Sequence, residues 1–123
     1  MSPRRVLVIE PDHLLRSLVA EWLEQAGMHA VFPANGPTEA TTDLGGIGAI
    51  VIDIPSPLHA DPVLQAWRRV FPKAAIIAAS ARFPAGEDTD DAMAGRLAVS
   101  KVLAKPYSRY ELYAALGVPG QGH

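Results

Sequence analysis

Cysteine is absent from this chain, which rules out a disulfide framework and a thiolate metal site and leaves the redox compartment open. Charge of one sign is missing too. Eleven Lys and Arg stand against thirteen Asp and Glu, a formal net charge of −2, and no basic stripe exists to grip a phosphate backbone. Direct nucleic-acid binding is therefore not expected. No apolar run exceeds strand length, and the amino terminus passes from Arg4 and Arg5 into an alternation that stops at Glu10. It has neither the length of a membrane span nor the cleavage site of a signal peptide, so we expect a cytoplasmic protein without a membrane partner. With 123 residues, of which 49% are hydrophobic, the chain can bury one core and is too short for two full domains. We expect one domain over residues 1–117 and a disordered tail over 118–123.

Short β-branched runs alternate with helical patterns, the signature of βαβ units around a parallel sheet covered on both faces. Strands are predicted at 5–10, 29–34, 49–53, 74–80 and 100–105. In the first helix Leu15, Leu18, Val19, Trp22 and Ala26 recur at helical spacing, with Asp12 as N-cap and Gly27 as stop. A second, poor helix is predicted at 37–44 behind Pro37, and a third from Asp61 as cap, burying Leu64, Trp67 and Val70. The fourth runs from Thr89 as cap to Leu97 and buries Met93 and Leu97. The fifth opens on a capping box, Ser108 with Glu111, and stops at Gly117.

The polar residues at the strand ends carry the functional argument. In an open parallel sheet, ligands bind at the carboxyl ends of strands. Here strand one ends at Glu10, strand three at Asp53, strand four at Ser80 and strand five at Lys105. Two carboxylates suit a hard cation such as Mg²⁺, and a lysine with a hydroxyl suits a phosphoryl group between them. The histidines at 13, 29, 59 and 123 are scattered without ligand spacing, and Trp22 and Trp67 sit at core spacing.

Taken in order, "VLVIEPD" with Arg16 beyond it, "IVIDIPSP", "IIAASA" and "VLAKPY" resemble the receiver domain of bacterial two-component response regulators over essentially the whole chain. The resemblance implies a flavodoxin-like (βα)5 fold, an α/β doubly wound parallel sheet of order 2-1-3-4-5. It makes Asp53 the phosphoacceptor in a phosphorelay, fed by a sensor histidine kinase or histidine phosphotransfer protein. It implies that Mg²⁺ is held by Glu10, Asp53 and the backbone carbonyl of Pro55, and that Ser80, Lys105 and the amides of Ile54 and Ala81 take phosphoryl oxygens. A cis Lys105–Pro106 bond follows from the same resemblance. So does self-association, where it occurs, as a homodimer through helix four, strand five and helix five.

Two departures stand out. Receivers usually place two adjacent acids at the end of strand one, and Pro11 here takes the place of the acid that touches the metal, so Mg²⁺ binding and phosphorylation are expected to be weakened. Asp12 is expected to cap the helix rather than bind metal. Val102 stands where receivers carry the aromatic residue that couples phosphate to the output face. Two functions are therefore carried forward, a phosphorylatable switch and a receiver-fold interaction module that answers to partner binding alone. An aspartyl-nucleophile phosphatase is disfavoured, because Pro55 occupies the place of its second acid.

Overall fold

The computed structural model describes residues 5–33, 45–83 and 87–118, with the backbone alone at 87–90. The predicted helix at 37–44 and residues 119–123 of the predicted tail lie outside them. Five strands, β1 (Arg5–Ile9), β2 (His29–Val31), β3 (Ile47–Asp53), β4 (Ala75–Ser80) and β5 (Lys101–Ala104), form one parallel sheet in the order β2-β1-β3-β4-β5. The described helices are α1 (His13–Gln25), α2 (Asp61–Val70), α3 (Glu87–Leu97) and α4 (Arg109–Leu116), with a short 3-10 turn at Pro57–His59. The fold class and strand order are those that the resemblance implied.

Period-two alternation divides the strands between two cores. Val6, Val8, Val51, Ala79 and Leu103 face α1 and α4, where Val19, Leu23, Leu112 and Leu116 meet them. Leu7, Ile50, Ile52, Ile76 and Val102 face the other way, against Leu64 and Trp67 of α2 and Leu97 of α3. Central strand β3 pairs with β1 from Ile47 to Ile52 and with β4 from Ala49 to Asp53. Asp53 is thus carried to the carboxyl edge by the central strand of the sheet.

The local signals at α1 and α4 act as read. Asp12 accepts hydrogen bonds from the Leu14 and Leu15 amides, and Gly27 follows α1 at φ 80°. Ser108 and Glu111 close a reciprocal capping box, and Gly117 ends α4 at φ 74°. Val118, expected in the tail, packs against the core.

Three local expectations are corrected. Asp61 is the first residue of α2 rather than its cap; Ala60 holds that place without a side-chain bond, and Asp61 acts instead as an acid in the first turn, where the helix dipole favours it. Thr89 lies inside α3, which starts two residues earlier at Glu87. Leu18 is exposed, because the stripe that meets the sheet runs through Leu15, Val19 and the fully buried Leu23.

Between α3 and β5, Ala98 adopts φ 55°, and Arg68 donates to the carbonyls of Leu97 and Ala98 at 3.3 and 3.0 Å. The left-handed region strains an L side chain there. Ala98→Gly is expected to raise stability by about 0.5 kcal/mol, since relief of that strain exceeds the added freedom of the unfolded chain. Urea unfolding checks this, and a lower midpoint would show that the alanine conformation is unstrained.

Candidate phosphoacceptor site

The turn after β1 uses each of its acids internally. Pro11 has no amide hydrogen, so the next donor along the chain is the amide of Asp12, which donates to Glu10 Oε2 at 3.1 Å. The carboxylate of Asp12 turns forward to cap α1. Glu10 is thereby anchored by its own turn and buried, with Oε1 left to face the sheet edge.

Lys105 closes the site. Its Nζ donates to Glu10 Oε1 and to Asp53 Oδ1, both at 2.6 Å. The side chains of Glu10, Asp53 and Lys105 are 5%, 16% and 17% exposed, so each carboxylate is largely withdrawn from water and is compensated by the same ammonium. β4 lies between β5 and β3, so the lysine has to reach across the end of β4, where Ala79, Ser80 and Ala81 are small. Strands stand about 4.8 Å apart, which puts β1 about 14 Å from β5, and the extra methylene of Glu relative to Asp lengthens the reach. Burial works to lower the Lys105 pKa, but the hydrogen bonds to Asp53 and Glu10 and their charges outweigh it, and the ammonium is held above its usual range.

Ser80 is fully buried at the end of β4. Its carbonyl accepts from the Lys105 amide at 2.9 Å, and its hydroxyl accepts from the Arg82 amide at 3.1 Å. Ser80 thus helps to place the lysine backbone, while its hydroxyl is turned to its own loop. The Ile54 amide, expected to face a phosphoryl group, donates to the Ala79 carbonyl at 2.7 Å and extends the β3–β4 ladder instead. Pro55 is exposed in the loop that follows.

The cis Lys105–Pro106 peptide is present, and Tyr107 directly follows it. Tyr107 is buried edge-on against Trp22, with ring centroids 6.5 Å apart and planes at 65°. Burial raises its pKa, and the charges of Glu10 and Asp53 raise it further. The electrostatic link of Tyr107 to the acids depends on proximity across the fold, which no local pattern reports. Trp22 is consequently a spectroscopic neighbour of the site.

No protein-family model matches the chain, and no curated protein matches it. Solved structures do. A sensor protein from Polaromonas sp. JS666 is 25% identical at a TM-score of 0.67, covering 92% of each chain. The chemotaxis protein CheY4 of Vibrio cholerae is 18% identical at a TM-score of 0.69, covering 92% of this chain and 95% of its own. The chain has the receiver-domain fold. The receiver domain of the response regulator Ssk1 from Saccharomyces cerevisiae, solved with the histidine phosphotransfer protein Ypd1, is 16% identical at a TM-score of 0.63, covering 94% of this chain and 88% of its own.

Mg²⁺ asks for near-octahedral oxygen coordination at about 2.0–2.1 Å. Here Glu10 has Oε1 on the lysine and Oε2 on an amide, Asp53 shares its Oδ1 with the same lysine, and Asp12 is committed to α1. Among the described residues no group of three or more His, Cys, Asp or Glu side chains gathers. As placed, these residues do not fit a Mg²⁺ ion, because the ammonium stands between the two carboxylates the ion would share.

Proposed function

We propose that this chain is a two-component signalling receiver, spanning residues 1–117, in which Asp53 accepts a phosphoryl group from a phosphohistidine on a sensor kinase or phosphotransfer protein. The observation that carries this reading is the 2.6 Å contact between Lys105 Nζ and Asp53 Oδ1 at the carboxyl edge of the central strand. The ammonium holds one oxygen of Asp53, and the other is the nucleophile. A phosphorus–oxygen bond forms as the phosphorus–nitrogen bond breaks, the imidazole leaves and takes a proton from solvent, and Lys105 offsets the charge gathered on the phosphoryl oxygens. The yeast receiver bound to a phosphotransfer protein supports the class of partner. The groove of about 430 Å³ between α3, β5 and α4, walled by Asp91, Lys101, Val102 and Glu111, is the surface we assign to output.

A second reading has its own observations. The Ser80 hydroxyl and the Ile54 amide are engaged locally, and Val102 is buried in the core where a rotating aromatic would be needed. These favour an interaction module that responds to a partner without phosphate. One experiment separates the two. After incubation with acetyl phosphate or phosphoramidate, intact mass is expected to show a single acid-labile phosphoryl adduct that Asp53→Asn abolishes. An adduct that persists in the variant would remove Asp53 from the role, and no adduct on the folded wild type would leave the second reading.

A further inference from the structure

We infer that Lys105 is the resident cation of this acidic edge, and that the site binds divalent metal only when the lysine is removed. The inference takes the sheet edge as the functional site, as the proposed function does, but it stands on donor geometry and needs no phosphoryl transfer.

The oxygen donors of the edge can be followed one by one. Glu10 is held at both oxygens, by the Asp12 amide and by Lys105 Nζ. Asp12 points forward into α1, where its Oδ1 accepts from two amides. Asp53 gives Oδ1 to the same Nζ. Pro11 contributes no side-chain oxygen at all. A dication shared by the two carboxylates would have to draw Glu10 or Asp53 away from the ammonium, and one held by the other Asp53 oxygen would still face that ammonium across the same carboxylate. Like charges at this range repel, and little water is present to screen them because the three side chains are mostly buried.

The lysine is well fitted to stay. It is tethered to the fold, so it loses no translational freedom on pairing, whereas a metal ion from solution does. Its backbone is fixed by the hydrogen bond that its amide donates to the Ser80 carbonyl. Glu10 is then a positioning residue: held by its own turn, it gives the ammonium a second carboxylate besides Asp53 and so pins it at the edge. The E-P-D sequence of residues 10–12 reads as one device, in which the proline deletes a metal-binding side chain and the two acids serve the lysine and the helix.

The test is Mn²⁺ binding to the full chain, followed by the loss of the free-ion electron paramagnetic resonance signal and repeated with Mg²⁺ by calorimetry, with no phosphodonor present. Wild type is expected to leave the Mn²⁺ signal undiminished at millimolar concentration. Lys105→Met is expected to bind at least about tenfold more tightly, a difference of about 1.4 kcal/mol. Wild-type binding as tight as that of the variant would overturn the inference, and so would a folded Lys105→Met protein, verified by circular dichroism, that binds no more metal than wild type. Should that variant not fold, the wild-type measurement decides alone, since saturable submillimolar binding there refutes the lysine as resident cation. Failure of phosphoryl uptake is read in the separate mass experiment and does not bear on these outcomes.

Discussion

Lys105→Met is expected to lower stability at neutral pH by about 2 kcal/mol, which for a chain of this size is a fall of about 8 °C in the thermal midpoint. Methionine keeps the length and apolar stem of lysine, so little packing is lost. What disappears is the ammonium between Glu10 and Asp53, leaving two carboxylates largely withdrawn from water and facing one another without compensation. Breaking a buried pair costs about 3–5 kcal/mol, and we take less because the lysine retains some contact with water. The pH dependence has a definite sign. The native pKa of Lys105 is raised, so its contribution is complete below the ordinary value of 10.5 and is lost as pH rises through the native value. Wild type and variant should therefore differ most at neutral pH and converge in strong alkali. Thermal melts over that range check this, and equal midpoints at neutral pH would show that the ion pair adds nothing net.

Trp67→Ala should cost more, about 4 kcal/mol. Trp67 is 2% exposed on the inner face of α2 and stacks on Phe71, with ring centroids 6.4 Å apart and planes at 11°. It packs in the core that joins α2 to β1, β3 and β4. Its removal leaves a cavity that neighbouring strands cannot close, because they are fixed by parallel pairing on both sides. A small domain has about 5–15 kcal/mol of stability to lose, so a large share goes with one side chain. Trp22, on the opposite face of the sheet, remains as the fluorescent reporter in urea. A midpoint within error of wild type would mean that the cavity collapses.

Most of the architecture could be read along the chain, for reasons that differ by element. "AIVI" at 49–52 is apolar on both faces, and the structure buries it between two layers of helices. Asp12 and the Ser108–Glu111 pair were legible because a cap acts on amides two or three residues away. The misreadings are equally local in origin. Asp61 and Asp12 are alike as letters, and only the backbone at Ala60 separates a cap from a first-turn acid. Leu18 fits the helical period as well as Leu23 does, but the orientation of α1 on the sheet selects Leu23.

By itself, then, the sequence determined the order of strands and helices, the two-faced burial of the sheet and the polar residue at the end of each strand. These follow from hydrophobic period and capping chemistry, whose range is a few residues. Only the tertiary structure decided what those polar ends do to one another. Lys105 meets Asp53 and Glu10 from 52 and 95 positions away, and the meeting depends on strand order, on small residues at the end of β4 and on the reach of two long side chains. The same packing turned the Ser80 hydroxyl and the Ile54 amide away from that meeting, because hydrogen-bond donors and acceptors at a buried edge take the nearest partner the fold provides.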